Sequence, residues 1–261
     1  MRVTRLVTTL VLTAHGSADP RSAANTRTVA GLVGRMRPGL DVRVAFLEKN
    51  SPGLIDVLTG LWGTRADGPA PRAVPARIVA GRDAVVTPLL LADAYHARID
   101  IPGQIAHSGV GHRVRQADVL GEDDRLVSVL RERLVGLGVS PFDDALGVLV
   151  VAIGSSDAGA NARTAAVAPK LAAGTRWTGA TTAFVTAPGS LTEAAIRLRR
   201  RGARRLVIAP WFLAPGRLPD RLQAYARDAG IAIAPPLGAH RLVADTVLDR
   251  FDQAAADRIA A

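Results

Sequence analysis

Short apolar runs rich in β-branched residues alternate along this chain with longer stretches in which apolar residues recur every three to four positions. The runs LVLTA at 10–14, VRVAFLE at 42–48 and VVTPLLL at 85–91 are too short for helices and carry the Val, Leu and Thr that suit buried strands. The stretches NTRTVAGLVGRM at 25–36 and DRLVSVLRERL at 124–134 have helical spacing, with apolar residues on one face and Arg on the other. Strand-like runs alternating with helical stretches predict βαβ units, hence a parallel sheet flanked by helices.

The same order then recurs. VLTAHGSAD at 11–19 is matched by LVVAIGSSD at 149–157, and NTRTVAGLVGRM by NARTAAVAPKL at 161–171. VRVAFLE is matched by TTAFVTA at 181–187, and VVTPLLLADA at 85–94 by LVIAPWFLAPG at 206–216. Each half closes on a helical stretch after Leu-Gly, VLGEDDRLVSVLRERL at 119–134 and PLGAHRLVADTVLDRF at 236–251. A repeat on this scale predicts an internal duplication, with one α/β unit over 1–140 and a second over 145–261. Gly138 to Asp144 reads as the linker, and the Gly- and Pro-rich stretch 62–81 as a looped insertion peculiar to the first unit.

Composition narrows the class. Hydrophobic residues make up 48% of the 261 positions and aromatic ones 4%, so Ala, Val and Leu must fill the core. The net charge of +10 attracts polyanions. Its arginines are scattered rather than gathered into a stripe, and few aromatics are at hand to stack on bases. The expected partner is therefore a polycarboxylate small molecule and not nucleic acid. There is no Cys, which excludes disulfides, thiolate metal sites and a Cys nucleophile. The run from Leu6 to Ala14 is too short to span a membrane and ends in His-Gly-Ser rather than a cleavage site, so a cytoplasmic protein without membrane association is expected.

The two halves differ at their strand ends, where open parallel sheets bind ligands. His15 stands opposite Ile153, Glu48 opposite Thr186, and His96, eight residues past Pro88, opposite Leu218, eight past Pro210. Two copies of one fold need the same core but not the same catalytic side chains. Any one of these three residues alone reads as an ordinary surface or turn residue; three ionisable groups at three strand ends of one unit read as chemistry. Two imidazoles and a carboxylate can hold a first-row divalent metal and can accept protons near neutral pH. Gly16 and Ser17 offer backbone N–H groups before a helix, and Arg21 and Arg98 offer guanidinium groups, all suited to substrate carboxylates. His107 and His112 read as loop histidines, and His240 as a structural residue before the last helix.

In these segments the chain resembles the sirohydrochlorin chelatases, the class II chelatases that insert ferrous iron or cobalt into sirohydrochlorin-type rings. The resemblance rests on His-Gly-Ser with Asp19 behind it, on Phe-Leu-Glu with Pro52 four residues after Glu48, and on the spacing from Pro88 to His96. It runs through both halves except 62–81. It implies two Rossmann-like units facing each other across a cleft, a long form corresponding to the dimer of short members and acting as a monomer. The family's metal-binding and catalytic His at the end of the first strand falls on His15, its active-site Glu on Glu48, and its second His, after the fourth strand, on His96. No cofactor is implied beyond the metal, which is itself a substrate, Fe2+ or Co2+. Where the family has Gly-Gly-His, this chain has Ala94-Tyr95-His96, which places Tyr95 where it narrows the cleft or stacks on the macrocycle. A non-catalytic tetrapyrrole or metal carrier and a polyanion-binding module are the competing classes.

Overall fold

The structure is a computed structural model and describes residues 9–62 and 83–256. Nearly all of the predicted insertion, and the first part of the Leu6–Ala14 run, lie outside the described residues. The first unit contains β1 (Thr9–Ala14), α1 (Pro20–Met36), β2 (Asp41–Phe46), α2 (Leu54–Leu61) and β3 (Ala84–Pro88). A π-helical turn over His96–Asp100 runs into α3 (Ile101–His107), followed by β4 (Val114–Gln116) and α4 (Asp124–Val135). The second unit contains β5 (Leu146–Ala152), α5 (Ala158–Ala165), α6 (Val167–Ala172), β6 (Gly179–Phe184), α7 (Ser190–Arg200), β7 (Arg205–Pro210), α8 (Arg217–Asp228), β8 (Ala232–Ile233) and α9 (Arg241–Ala256). Among the described residues no helix is long and apolar enough to cross a membrane.

The strands form two parallel four-stranded sheets of the same topology, β2-β1-β3-β4 and β6-β5-β7-β8. The duplication extends to register: Thr13 pairs with Pro88, and Val151 with Pro210. The short fourth strands carry little hydrophobic pattern, and sequence periodicity does not reveal them. His107 is the last residue of α3 rather than part of a loop, and His112 sits in a single 3-10 turn.

Both faces of each central strand are buried. Val11 points into a layer with Leu54 and Leu58 of α2 and Ile101 of α3, whereas Leu10 and Leu12 face Val29 and Val33 of α1. In the second unit Leu149 and Val151 face α7 and α8, while Val148 and Val150 face inward. The inward residues of both sheets belong to one continuous core. Burying each such Leu or Val contributes roughly 1.5–3 kcal/mol, so this shared layer is the main tie between the units.

The closing helices are exchanged. α4, from the first unit, packs on α6 and β7, and α9, from the second, packs on α1, β3 and β4. Arg131 of α4 donates to the last carbonyls of α6, Lys170 O at 2.6 Å and Ala173 O at 3.1 Å, where cations complement the helix dipole. Arg250 of α9 donates in turn to Val119 O at 3.1 Å and Leu120 O at 3.2 Å. His240 precedes α9, where its Nδ1 accepts from Leu242 N–H and its Nε2 lies 3.1 Å from Glu132 of α4.

Asp123, the N-cap of α4, links the exchanged helices. It accepts from Arg125 and from Arg250 of α9, and Arg125 also donates to Asp249 of α9. The side-chain hydrogen bonds from Arg125 hold the Asp123 carboxyl down to about 2. A group lowered in the folded state stabilises above its unfolded pKa and loses that contribution as pH falls through the folded value. The stabilisation is therefore complete above about pH 5 and lost between about pH 4 and 2. Asp123→Asn keeps the cap, should cost about 1 kcal/mol at neutral pH after solvent screening, and should flatten the acid limb of stability over that window. Urea unfolding at a series of pH values checks this; parallel curves for variant and parent would refute it.

Candidate active site

The site is built on the turns leaving β1, β2 and β3. His15 follows β1 directly and begins a turn that only glycine can continue. Gly16 has φ of +95°, and a Cβ there would lie 1.9 Å from the carbonyl oxygen of Glu48. This close approach seats the first turn on the second, where Leu47 N–H donates to Ala14 O and Glu48 N–H to His15 O, both at 3.0 Å. The second unit repeats the frame. Gly154 has φ of +93°, a Cβ there would lie 2.4 Å from Thr186 Oγ1, and Thr186 N–H donates to Ile153 O. The pairing of His15 with Ile153 and of Glu48 with Thr186 is therefore one of backbone geometry as well as of sequence.

The side chains form a chain of contacts. Glu48 Oε1 lies 3.5 Å from His15 Nε2, and the rings of His15 and His96 meet edge to face with centroids 4.1 Å apart. His96 Nδ1 pairs with Asp100 four residues on, across the π-helical turn. A π turn is an uncommon element that recurs at functional sites. His96 follows the third strand among the described residues, rather than the fourth that the resemblance implied. His15, Glu48 and His96 are each a third to a half exposed, open to a ligand. Among the described residues no group of three His, Cys, Asp or Glu is arranged to hold an ion; these residues meet pair by pair.

The hydrogen bonds orient both rings. His15 Nδ1 lies 2.9 Å from Gly16 O, an acceptor, so in the neutral ring the proton sits on Nδ1. A carboxylate oxygen of Asp100 as acceptor places the His96 proton on Nδ1. His96 then presents a bare Nε2, the form that binds a metal or takes a proton, with the opposite nitrogen oriented as metal-site histidines usually are, whereas His15 Nε2 faces Glu48.

Other predicted residues have definite places. The Ser17 N–H donates to Asn50 Oδ1 at 2.7 Å, and Ser17 Oγ accepts from Asp19 N–H. Tyr95 is 62% exposed, with its ring edge-on to His96 at 5.9 Å. Arg21 and Arg98 both reach across to the second unit: Arg21 to Asp220, and Arg98 to Asp157. Sequence reasoning missed Asp100, Asn50 and Lys49. The spacing of His96 and Asp100 by four, within a helical stretch, was the available signal for the first. Lys49 adopts a left-handed φ of 60°, turning the chain back so that Asn50 meets Ser17, and its Nζ lies 3.5 Å from Glu48 Oε1. Nothing local in the sequence marks either contact.

Comparison with known proteins agrees with the duplication. The family model described as CbiX matches the chain twice, over residues 9–136 and 147–254. The chain is similar to a sirohydrochlorin ferrochelatase of Priestia megaterium, with 27% identity covering 79% of this chain and 81% of that one. It is also similar to a sirohydrochlorin cobaltochelatase of the same organism, with 29% identity covering 82% and 67%. Among solved structures, SirB from Bacillus subtilis with Fe3+ superposes with a TM-score of 0.78 at 21% identity, covering 97% of both chains, which shows the shared fold.

Proposed function

The chain belongs to the CbiX family through both of its halves, and from that premise we propose that it inserts a divalent metal ion into sirohydrochlorin. The observation that carries the reading is the chain of contacts from Glu48 through His15 and His96 to Asp100, in one unit only. Metal insertion needs a donor set that releases the ion and acceptors for the two pyrrole protons. Two imidazoles beside a carboxylate provide both. His15 and His96 take the incoming ion, with Glu48 as the third donor, and the same groups receive the protons as the ring nitrogens close on the metal. Gly16, Ser17, Tyr95, Arg21 and Arg98 frame the ring and its carboxylates.

The product is sirohaem when the ion is ferrous, and ferrous iron is the leading substrate. Cobalt is the second reading, because the two curated relatives carry one name for each metal at nearly equal identity. The reaction belongs to the cytoplasm, and a monomer suffices for it, a reading supported by the contacts of Arg21 and Arg98 with the second unit of the same polypeptide. Purified protein mixed with sirohydrochlorin and either ion under anaerobic conditions should give the absorption of the metallated ring well ahead of the protein-free control. Equal rates with and without protein for both ions would defeat the proposal and leave a carrier in its place.

A further inference from the structure

Two ion-pair clasps, placed alike in the two units, join the site to the opposite lobe. Arg98, ten residues past the end of β3 at Pro88, donates to Asp157, the N-cap of α5, at 3.2 Å. Asp220, ten residues past the end of β7 at Pro210, is the counterpart of Arg98. It is reached by Arg21, which also grips Asp19, the N-cap of α1 and counterpart of Asp157. Each clasp thus ties the N-cap Asp after the first strand of one unit to the segment after the third strand of the other. Both arginines lie close to the proposed centre, Arg98 on the His96 turn and Arg21 in the first turn after Gly16 and Ser17. About half of each guanidinium side chain is exposed, as are Asp220 and, to a lesser degree, Asp157.

Resting on the reading of this site as a sirohydrochlorin chelatase, we infer that Arg21 and Arg98 are exchange clasps: substrate carboxylates displace Asp220 and Asp157 from them when the ring binds. The chemistry favours exchange over permanent pairing. Exposed ion pairs gain little and are held by screened Coulomb attraction, so an incoming carboxylate of equal charge replaces the aspartate at small cost. Arg21 holds Asp220 through two N–H bonds, a bidentate geometry that an incoming carboxylate can take over, whereas Arg98 gives Asp157 a single bond from Nη1 and keeps Nε and Nη2 on Asp93 of its own unit. The aspartates hold the arginines extended towards the second unit before substrate arrives, and releasing them loosens one lobe from the other at the moment the ring enters.

An exchange predicts opposite signs for the two partners of one bridge, which a purely structural bridge does not. Asp220→Asn and Asp157→Asn, the latter preserving the cap of α5, should each bind metal-free sirohydrochlorin about two- to five-fold tighter, read from the ring's visible absorbance at equilibrium. Arg21→Gln and Arg98→Gln should each bind it roughly ten-fold more weakly. Fully esterified sirohydrochlorin, which has no carboxylates, should lose both effects. Weaker binding by all four variants, or differences that persist with the ester, would overturn the exchange while leaving the chelatase reading intact. Failure of the parent protein to bind or metallate the ring would overturn that reading and the inference with it.

Discussion

His15→Ala and His96→Ala should each lower the rate of metal insertion by about 10²- to 10⁴-fold, the range expected for removing a positioned proton acceptor that also holds the ion. The fold should survive both changes. Each ring is a third to a half exposed, and neither belongs to the buried clusters that join sheets and helices. Little apolar burial is therefore lost, and unfolding midpoints should stay within about 0.5 kcal/mol of the parent. Asp100→Asn should have a smaller effect, about 10- to 100-fold, because the amide keeps the contact with Nδ1 but no longer dictates which nitrogen carries the proton. Ile153→Ala, at the position matching His15 in the second unit, serves as the control and should keep most of the rate. Initial rates with saturating metal, together with urea denaturation, decide the matter. If both histidine variants metallated the ring within two-fold of the parent, the assignment of these side chains would be wrong.

Gly16→Ala should be the most damaging small substitution in the site. The residue sits at φ of +95°, and the added methyl carbon would lie 1.9 Å from a backbone oxygen, which cannot swing aside as a side chain could. Either the turn after β1 opens or the segment around Glu48 is driven away. Strain and displacement together should cost about 2–4 kcal/mol, and the contact between His15 and Glu48 should go with them, taking most of the activity. Gly39→Ala separates the two causes. Gly39 also has a left-handed φ, 90°, but a Cβ there meets nothing within 4 Å, so only backbone strain of about 1 kcal/mol is expected. A midpoint for Gly16→Ala no lower than that for Gly39→Ala would show that the two turns are not locked together.

Much of this site could be read before any coordinates, because it lies on a duplication. The second half acts as an internal reference: Ile153, Thr186 and Leu218 occupy an equivalent frame without the ionisable groups, and the difference isolates His15, Glu48 and His96. The structure brings those three side chains into contact, but the comparison could not see Asp100, which meets His96 only across the π turn. It also could not tell that the Ser17 amide is taken by Asn50, which arrives from 33 residues away.

Sequence by itself determined the alternation of strand and helix, the two-fold repeat and the identity of the strand-end residues. Each of these follows from local periodicity or from comparing one stretch of the chain with another. Tertiary structure alone decided that α4 and α9 trade places between the units, that one core runs through both, and that Arg21 and Arg98, each paired with a near neighbour in sequence, Asp19 and Asp93, also reach Asp220 and Asp157, 199 and 59 residues distant. The physical reason is the range of the forces involved. An apolar face and a turn residue act on their neighbours and leave a periodic trace, whereas an exposed guanidinium pairs with whichever carboxylate the folded chain brings within a few ångströms, and no spacing in the sequence records which one that is.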